Sequence, residues 1–179
     1  TSRGVLYRSD SAFPRARSFH RWETASHKAA LEKLKDQKFQ SDSLINYRNT
    51  LIVEKEPSIS MPNIPDSLRM AYSRGRIVNN QYDDFYVEID MPYDGLLFLS
   101  QNWHPYWKAE EDGDEIPILR ANYAFISVPL GAGRHKVHFK YESKIWNISA
   151  KVSIVVFAIS FILLLVSIIF HSRDDNPKK

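Results

Sequence analysis

Cysteine is absent from this 179-residue chain. That absence excludes a disulfide-stapled scaffold, a thiol nucleophile and any thiolate metal site. Catalytic signatures are missing as well: there is no nucleophile elbow, no kinase signature and no paired-carboxylate motif, although carboxylate pairs can also assemble from distant segments. Gly131-Ala132-Gly133 is not followed by a helix and so reads as a turn between strands, not a phosphate loop. His135 and His138 lie three apart on one expected strand. They point to opposite faces and cannot share a metal ion, so no zinc site and no cofactor are expected. Glu110, Glu111, Asp112 and Asp114 lack the spacing of a calcium loop and read as a solvated hairpin. The first residue is Thr1, with no Met and no signal peptide ahead of it, which suggests the C-terminal fragment of a longer chain.

Against these absences stands one long apolar run. Val152 to Phe170 spans nineteen residues without a charge, a proline or a glycine. As a helix rising about 1.5 Å per residue, it would cover roughly 28 Å, close to the ~30 Å hydrocarbon core of a bilayer. A buried core helix is the alternative, but it would normally carry a polar stripe. Trp146 and Lys151 before the run, and His171, Arg173, Lys178 and Lys179 after it, suit headgroup depth. A transmembrane helix over residues 146–171 and a tail over 172–179 are expected.

Charge divides the rest of the chain. Residues 1–76 hold 14 Lys/Arg against 8 Asp/Glu, and residues 77–145 hold 6 against 11. Two blocks of opposite sign suggest two sub-regions that dock on each other. The basic residues are scattered, including Arg3, Arg8, Arg15, Arg17 and Arg21, without a stripe of stacking aromatics, so nucleic acid is not an expected partner.

In the first block Arg15 to Trp22 alternates like an edge strand. Thr24 offers an N-cap to a helix from Ala25 to Lys38, with Ala30, Leu31 and Leu34 on one face and Trp22 and Phe39 bracketing it. Thr50 to Glu54 reads as a short buried strand, and Pro57, Pro62 and Pro65 mark a linker near residues 57–68. The second block reads as about six strands. Phe85, Val87 and Ile89 alternate with polar residues, and Pro92 to Gly95 turns the chain into Leu96 to Ser100. Trp107 to Glu111 precedes Asp112-Gly113, a strong two-residue hairpin signal. Ile116 to Leu119, Ala124 to Val128 and His135 to Tyr141 follow, the last with His135, Val137, Phe139 and Tyr141 on one face. Short strands in series with no helix between them indicate an antiparallel sandwich or a related barrel.

The expected fold class is therefore α+β. A small N-terminal α/β sub-region (1–68) joins a β-sandwich-like sub-region (69–145), followed by the membrane helix. The most distinctive local feature is Trp103-His104-Pro105-Tyr106-Trp107. Two indoles and a phenol within five residues could stack on a sugar ring, or could anchor a sandwich corner. If they form a platform, Trp103 and Tyr106 are its exposed members, because Trp107 belongs to the strand that follows.

The order Gly95-Leu96, Leu99-Ser100, Pro105 with Trp107, Asp112-Gly113, Asn122 with Phe125, Pro129, Gly133 with His135, then Val137, Phe139 and Tyr141 before an apolar helix resembles the C-terminal end of the bacterial YfhO family of membrane proteins. Pro14-Arg15-Ala16 before a strand, a helix ending near Phe39 and a strand ending at Glu54 are similar to the part of that extracytoplasmic domain that precedes it. Two departures stand out. Tyr106 occupies a position where the family often has glycine, and it cannot take a positive φ as cheaply. Ser143 stands where the family often has proline.

The resemblance implies a polytopic parent similar to GT-C glycosyltransferases, which use lipid-linked sugars and are associated with glycosylation of cell-surface polymers such as teichoic acids. In such enzymes the catalytic acid lies in an early extracytoplasmic loop. No catalytic residue is therefore assigned here, and residues 1–145 are expected to be an accessory domain. The implied partners are the lipid bilayer, a glycopolymer or lipid-linked sugar, and the upstream transmembrane portion of the same protein. The implied location is the bacterial cell membrane, with the folded domain outside and the tail inside. The absence of cysteine fits an envelope protein, and the tail's Lys/Arg agree with the positive-inside tendency, diluted by Lys144 and Lys151. A tail-anchored protein with a cytoplasmic domain is the minority alternative. A second functional class is a non-enzymatic, membrane-anchored interaction domain.

Overall fold

Phe85, Val87, Ile89 and Met91 are buried, while Asp84, Tyr86, Glu88 and Asp90 between them reach the surface. That period of two is what a strand needs to cover a core on one side only. The computed structural model describes residues 13–36, 49–65, 72–79 and 81–174. In chain order its elements are β1 (Ala16–Phe19), β2 (Trp22–Thr24), α1 (His27–Asp36), β3 (Leu51–Val53), β4 (Arg76–Val78), β5 (Asp84–Met91), β6 (Gly95–Asn102), β7 (Trp107–Glu111), β8 (Asp114–Ile116), β9 (Leu119–Ala121), β10 (Phe125–Leu130), β11 (Gly133–Tyr141) and α2 (Lys144–Asp174). The strands form two sheets, one ordered β1-β6-β10-β9-β3-β2 and the other β4-β5-β11-β7-β8. Pairing is antiparallel except between β2 and β3. The expected α+β class, a sandwich-like domain followed by one apolar helix, is the class observed.

The main core lies between the sheets. Leu97, Leu99, Ile126 and Val128 from one face Phe85, Val87, Trp107, Val137 and Phe139 from the other. Phe85 stacks on Phe139 with ring centroids 5.5 Å apart, and Trp107 meets Phe85 edge-on at 5.7 Å. Each fully buried large apolar side chain contributes about 1.5–3 kcal/mol. The other face of the six-stranded sheet is also covered, by Phe19, Trp22, Leu51, Leu96 and Phe98 with Ile59 packed against them. That double burial explains the unbroken apolar run Leu96 to Leu99, which a half-exposed strand would not carry. Helix α1 covers Ile52 with Ala30 and Leu34.

Two segments cross from one sheet to the other. Residues 73–75 bond to β1, with Ser73 O accepting from Ser18 N–H and Gly75 N–H donating to Ala16 O, each at 3.0 Å. The chain then enters β4, which pairs with β5. Gly75 sits at this crossing because a Cβ there would lie 2.8 Å from Ala16 Cβ and 2.9 Å from Val87 Cγ1. On the far side β8 belongs to one sheet and β9 to the other, with Pro117 between them. The single strand expected over Ile116 to Leu119 is therefore two, since proline lacks the N–H that a continuous ladder would need. The Asp112-Gly113 hairpin forms as expected, both residues taking positive φ (52° and 93°), as a type I′ turn requires.

Other expectations are revised. The stretch Arg15 to Trp22 is not one alternating edge strand but the end strand β1, all four residues buried, and the beginning of β2. Thr24 does not cap α1, because β2 keeps it extended beside β3 and its hydroxyl donates to Glu56. Ser26 Oγ accepts instead from Ala29 N–H, at 3.4 Å. The proposed boundary near residues 57–68 separates no compact unit, since β1, β2 and β3 share a sheet with β6, β9 and β10. The chain divides between Tyr141 and Glu142. Phe39, Lys38, Arg3 and Arg8 lie outside the described residues. Within α2, Ile148–Val166 is long and apolar enough to cross a membrane, and none of it is buried.

Candidate functional site

Strand alternation places Ile52, Glu54 and Arg120 on the face of the six-stranded sheet that also carries α1. Asn122 fixes that corner. Held at φ 43°, it gives its backbone N–H to Ile52 O at 2.7 Å and accepts Ile52 N–H on its side-chain oxygen at 3.1 Å. Tyr123 follows at φ 70°, strained for a residue with a Cβ. Its ring stacks on His27 at 4.2 Å.

These groups form a chain ending at Trp103. His27 Nδ1 lies 2.5 Å from Glu54 Oε1 and 3.0 Å from Arg120 Nη1. One ring nitrogen cannot donate to the carboxylate and accept from the guanidinium at once. The shorter contact decides: Nδ1 carries a proton and donates to Glu54, and Arg120 pairs with the same carboxylate oxygen at 3.6 Å. The Arg120 guanidinium lies 3.8 Å from the centre of the Trp103 ring. It occupies one face of the indole, so only the other can take a ligand. Trp103, His104, Pro105, Trp107, Lys108, Glu115 and Ile116 to Ile118 line a pocket of about 160 Å³. Apolar ring faces beside a few fixed polar groups suit a hydroxylated ring.

The two residues expected to form a platform are parted. Trp103 is half-buried against the main core and lines the pocket. Tyr106, also half-buried, does not line it and turns to His104 and Tyr141, at 4.7 and 5.9 Å. Trp107 and Tyr141 pack edge-on at 5.4 Å. His135 is held by Glu111 Oε1 at 2.8 Å and Gly131 O at 2.9 Å, near Gly133, and His138 is held by Asp84 at 2.8 Å. His27, Glu54, Arg120 and Tyr123 are not legible as a group in the sequence, because three segments far apart in the chain supply them. The one local signal, Asn122 before an aromatic residue, marks the strained corner only in hindsight.

Two further constellations bear on chemistry. Ser18 Oγ lies 3.2 Å from His20 Nε2, and His20 Nδ1 lies 3.1 Å from Asp94 O. The carbonyl can only accept, so Nδ1 carries the proton and Ser18 donates to Nε2. Both residues are buried. They fasten β1 to the turn before β6 and offer a substrate no access. The outer face of the five-stranded sheet carries columns of alternating sign: Arg74 and Arg76, then Glu88 and Asp90, then Arg134 and Lys136, with Asp112 beyond. It forms an open cleft of about 460 Å³. No family model, curated protein or solved structure matches the chain.

Proposed function

We propose that the chain is the C-terminal accessory domain and membrane anchor of a YfhO-like polytopic membrane protein, linked to glycosylation of bacterial cell-surface polymers from lipid-linked sugars. In this reading the sandwich lies outside the bacterial cell membrane and binds glycan without transforming it. The observation that carries the reading is the apolar segment Ile148–Val166, exposed along its whole length, in a helix that starts three residues after the last strand. An exposed apolar surface of that length in water is untenable, and a bilayer is the solvent that suits it. The pocket beside Trp103 supports the glycan part.

The test is a calorimetric titration of the full chain in detergent micelles with cell-wall glycopolymer fragments. Saturable binding is expected for the parent. A Trp103→Ala variant that keeps its circular-dichroism spectrum should bind at least about tenfold more weakly, or roughly 1.4 kcal/mol, and Tyr106→Ala should bind nearly as well as the parent. The second reading, a non-enzymatic interaction domain, is favoured by the alternating charges of the larger cleft, which suit an oppositely patterned protein surface. Absence of heat up to about millimolar fragment, the weak end of useful affinity at about −4 kcal/mol, would select it.

A further inference from the structure

Strands β5, β7 and β11 bring their aromatic ends to one pole of the sandwich. Tyr141 N–H donates to Asp83 O at 2.8 Å, which sets the 81–84 turn beside the end of β11, and Tyr82 on that turn is 98% exposed. Tyr106 and His104 flank Tyr141 on the other side, with the Tyr141 hydroxyl 3.1 Å from His104 Nδ1. The opposite pole carries Asp94, Gly131, Ala132 and the Asp112-Gly113 turn. The chain leaves the sandwich at the aromatic pole, and only Glu142 and Ser143 separate Tyr141 from α2.

We infer that this pole docks into the headgroup layer of a lipid surface, with Tyr82, Tyr106, His104 and Tyr141 as its contact. The inference rests on the membrane-anchor reading. If Ile148 begins the hydrocarbon-spanning part, six residues separate it from Tyr141. Three extended steps and four helical ones reach about 16 Å at most. Aromatic rings with a polar edge favour that depth. Asp83, Asp84 and Glu142 lie at the same pole as Lys108 and Lys140 and leave it no basic surplus, so the surface selected is the zwitterionic interface and not an anionic leaflet, and the docking is insensitive to salt.

The cysteine-free chain allows a direct test. Full-length Tyr82→Cys, labelled with an environment-sensitive fluorophore, is reconstituted in phosphatidylcholine vesicles, with Ala132→Cys at the opposite pole as reference. The label at position 82 should be blue-shifted and quenched several-fold more strongly by a headgroup-depth nitroxide lipid than the label at 132. It should also be shielded from aqueous iodide, with no change between low and high salt. Flotation of the chain with an aqueous, iodide-accessible label at 82 would overturn this inference alone. Failure of the chain to float with the vesicles would overturn the anchor reading as well.

Discussion

Arg17 and His20 show how much polar chemistry is buried in β1 and just after it. The Arg17 guanidinium lies 3.8 Å from the Phe13 ring centre and 4.2 Å from that of Phe19, and burial pulls its pKa down to about 10, which leaves it charged at neutral pH. Burial likewise holds His20 below its ordinary 6.5, opposed by its bond to Asp94 O. As pH falls through 6.5 the unfolded chain takes up this proton first, so His20 contributes its full stability above that value and loses it as pH drops towards its folded pKa. Denaturant melts of the parent and a His20→Asn variant, between about pH 5 and 8, should show the parent's advantage shrinking on acidification. A constant difference would mean that His20 is solvated. Trp107 and Phe139 are 8% and 0% exposed, and replacing either with Ala should cost about 3–5 kcal/mol. Melting temperatures within a degree or two of the parent would place these rings at the surface and break the assigned register.

Among the elements, those with a clear period were readable and those set by distant partners were not. Trp107 to Glu111 and the Asp112-Gly113 turn announce themselves, because a half-buried strand must alternate and a type I′ turn needs positive φ. The alternation of His135, Val137, Phe139 and Tyr141 is equally plain. Strand β1 is hard to read from sequence because Arg17 and Ser18 look solvent-facing, yet Phe13, Tyr72 and His20 cover them. Strand β4 leaves no mark in the sequence, since three residues after Arg74-Gly75 carry no period of their own. The same limit hid Arg120 and Glu54, whose pairing with Trp103 and His27 exists only once β3 and β9 meet. Gly75 is the sharpest test of the sheet crossing. A Gly75→Ala variant places its methyl against Ala16 and Val87 and should lose about 1–3 kcal/mol. An unchanged denaturation midpoint would show that residues 73–78 do not bridge the two sheets.

At the scale of the whole molecule, a two-sheet domain with its own core is followed by a helix whose apolar stretch has no buried residue. The sequence run from Val152 to Phe170 made that helix legible at once, since nothing but a bilayer or a large protein core tolerates it. Substituting Leu164 with Arg should raise the insertion free energy by roughly 3 kcal/mol. The central claim, that this chain is held on a membrane by α2, is tested most directly by floating the full chain with lipid vesicles through a density gradient after an alkaline carbonate wash. The account predicts that the chain rises with the vesicles and resists the wash. Recovery of the folded chain in the dense aqueous fraction, without detergent, would contradict it.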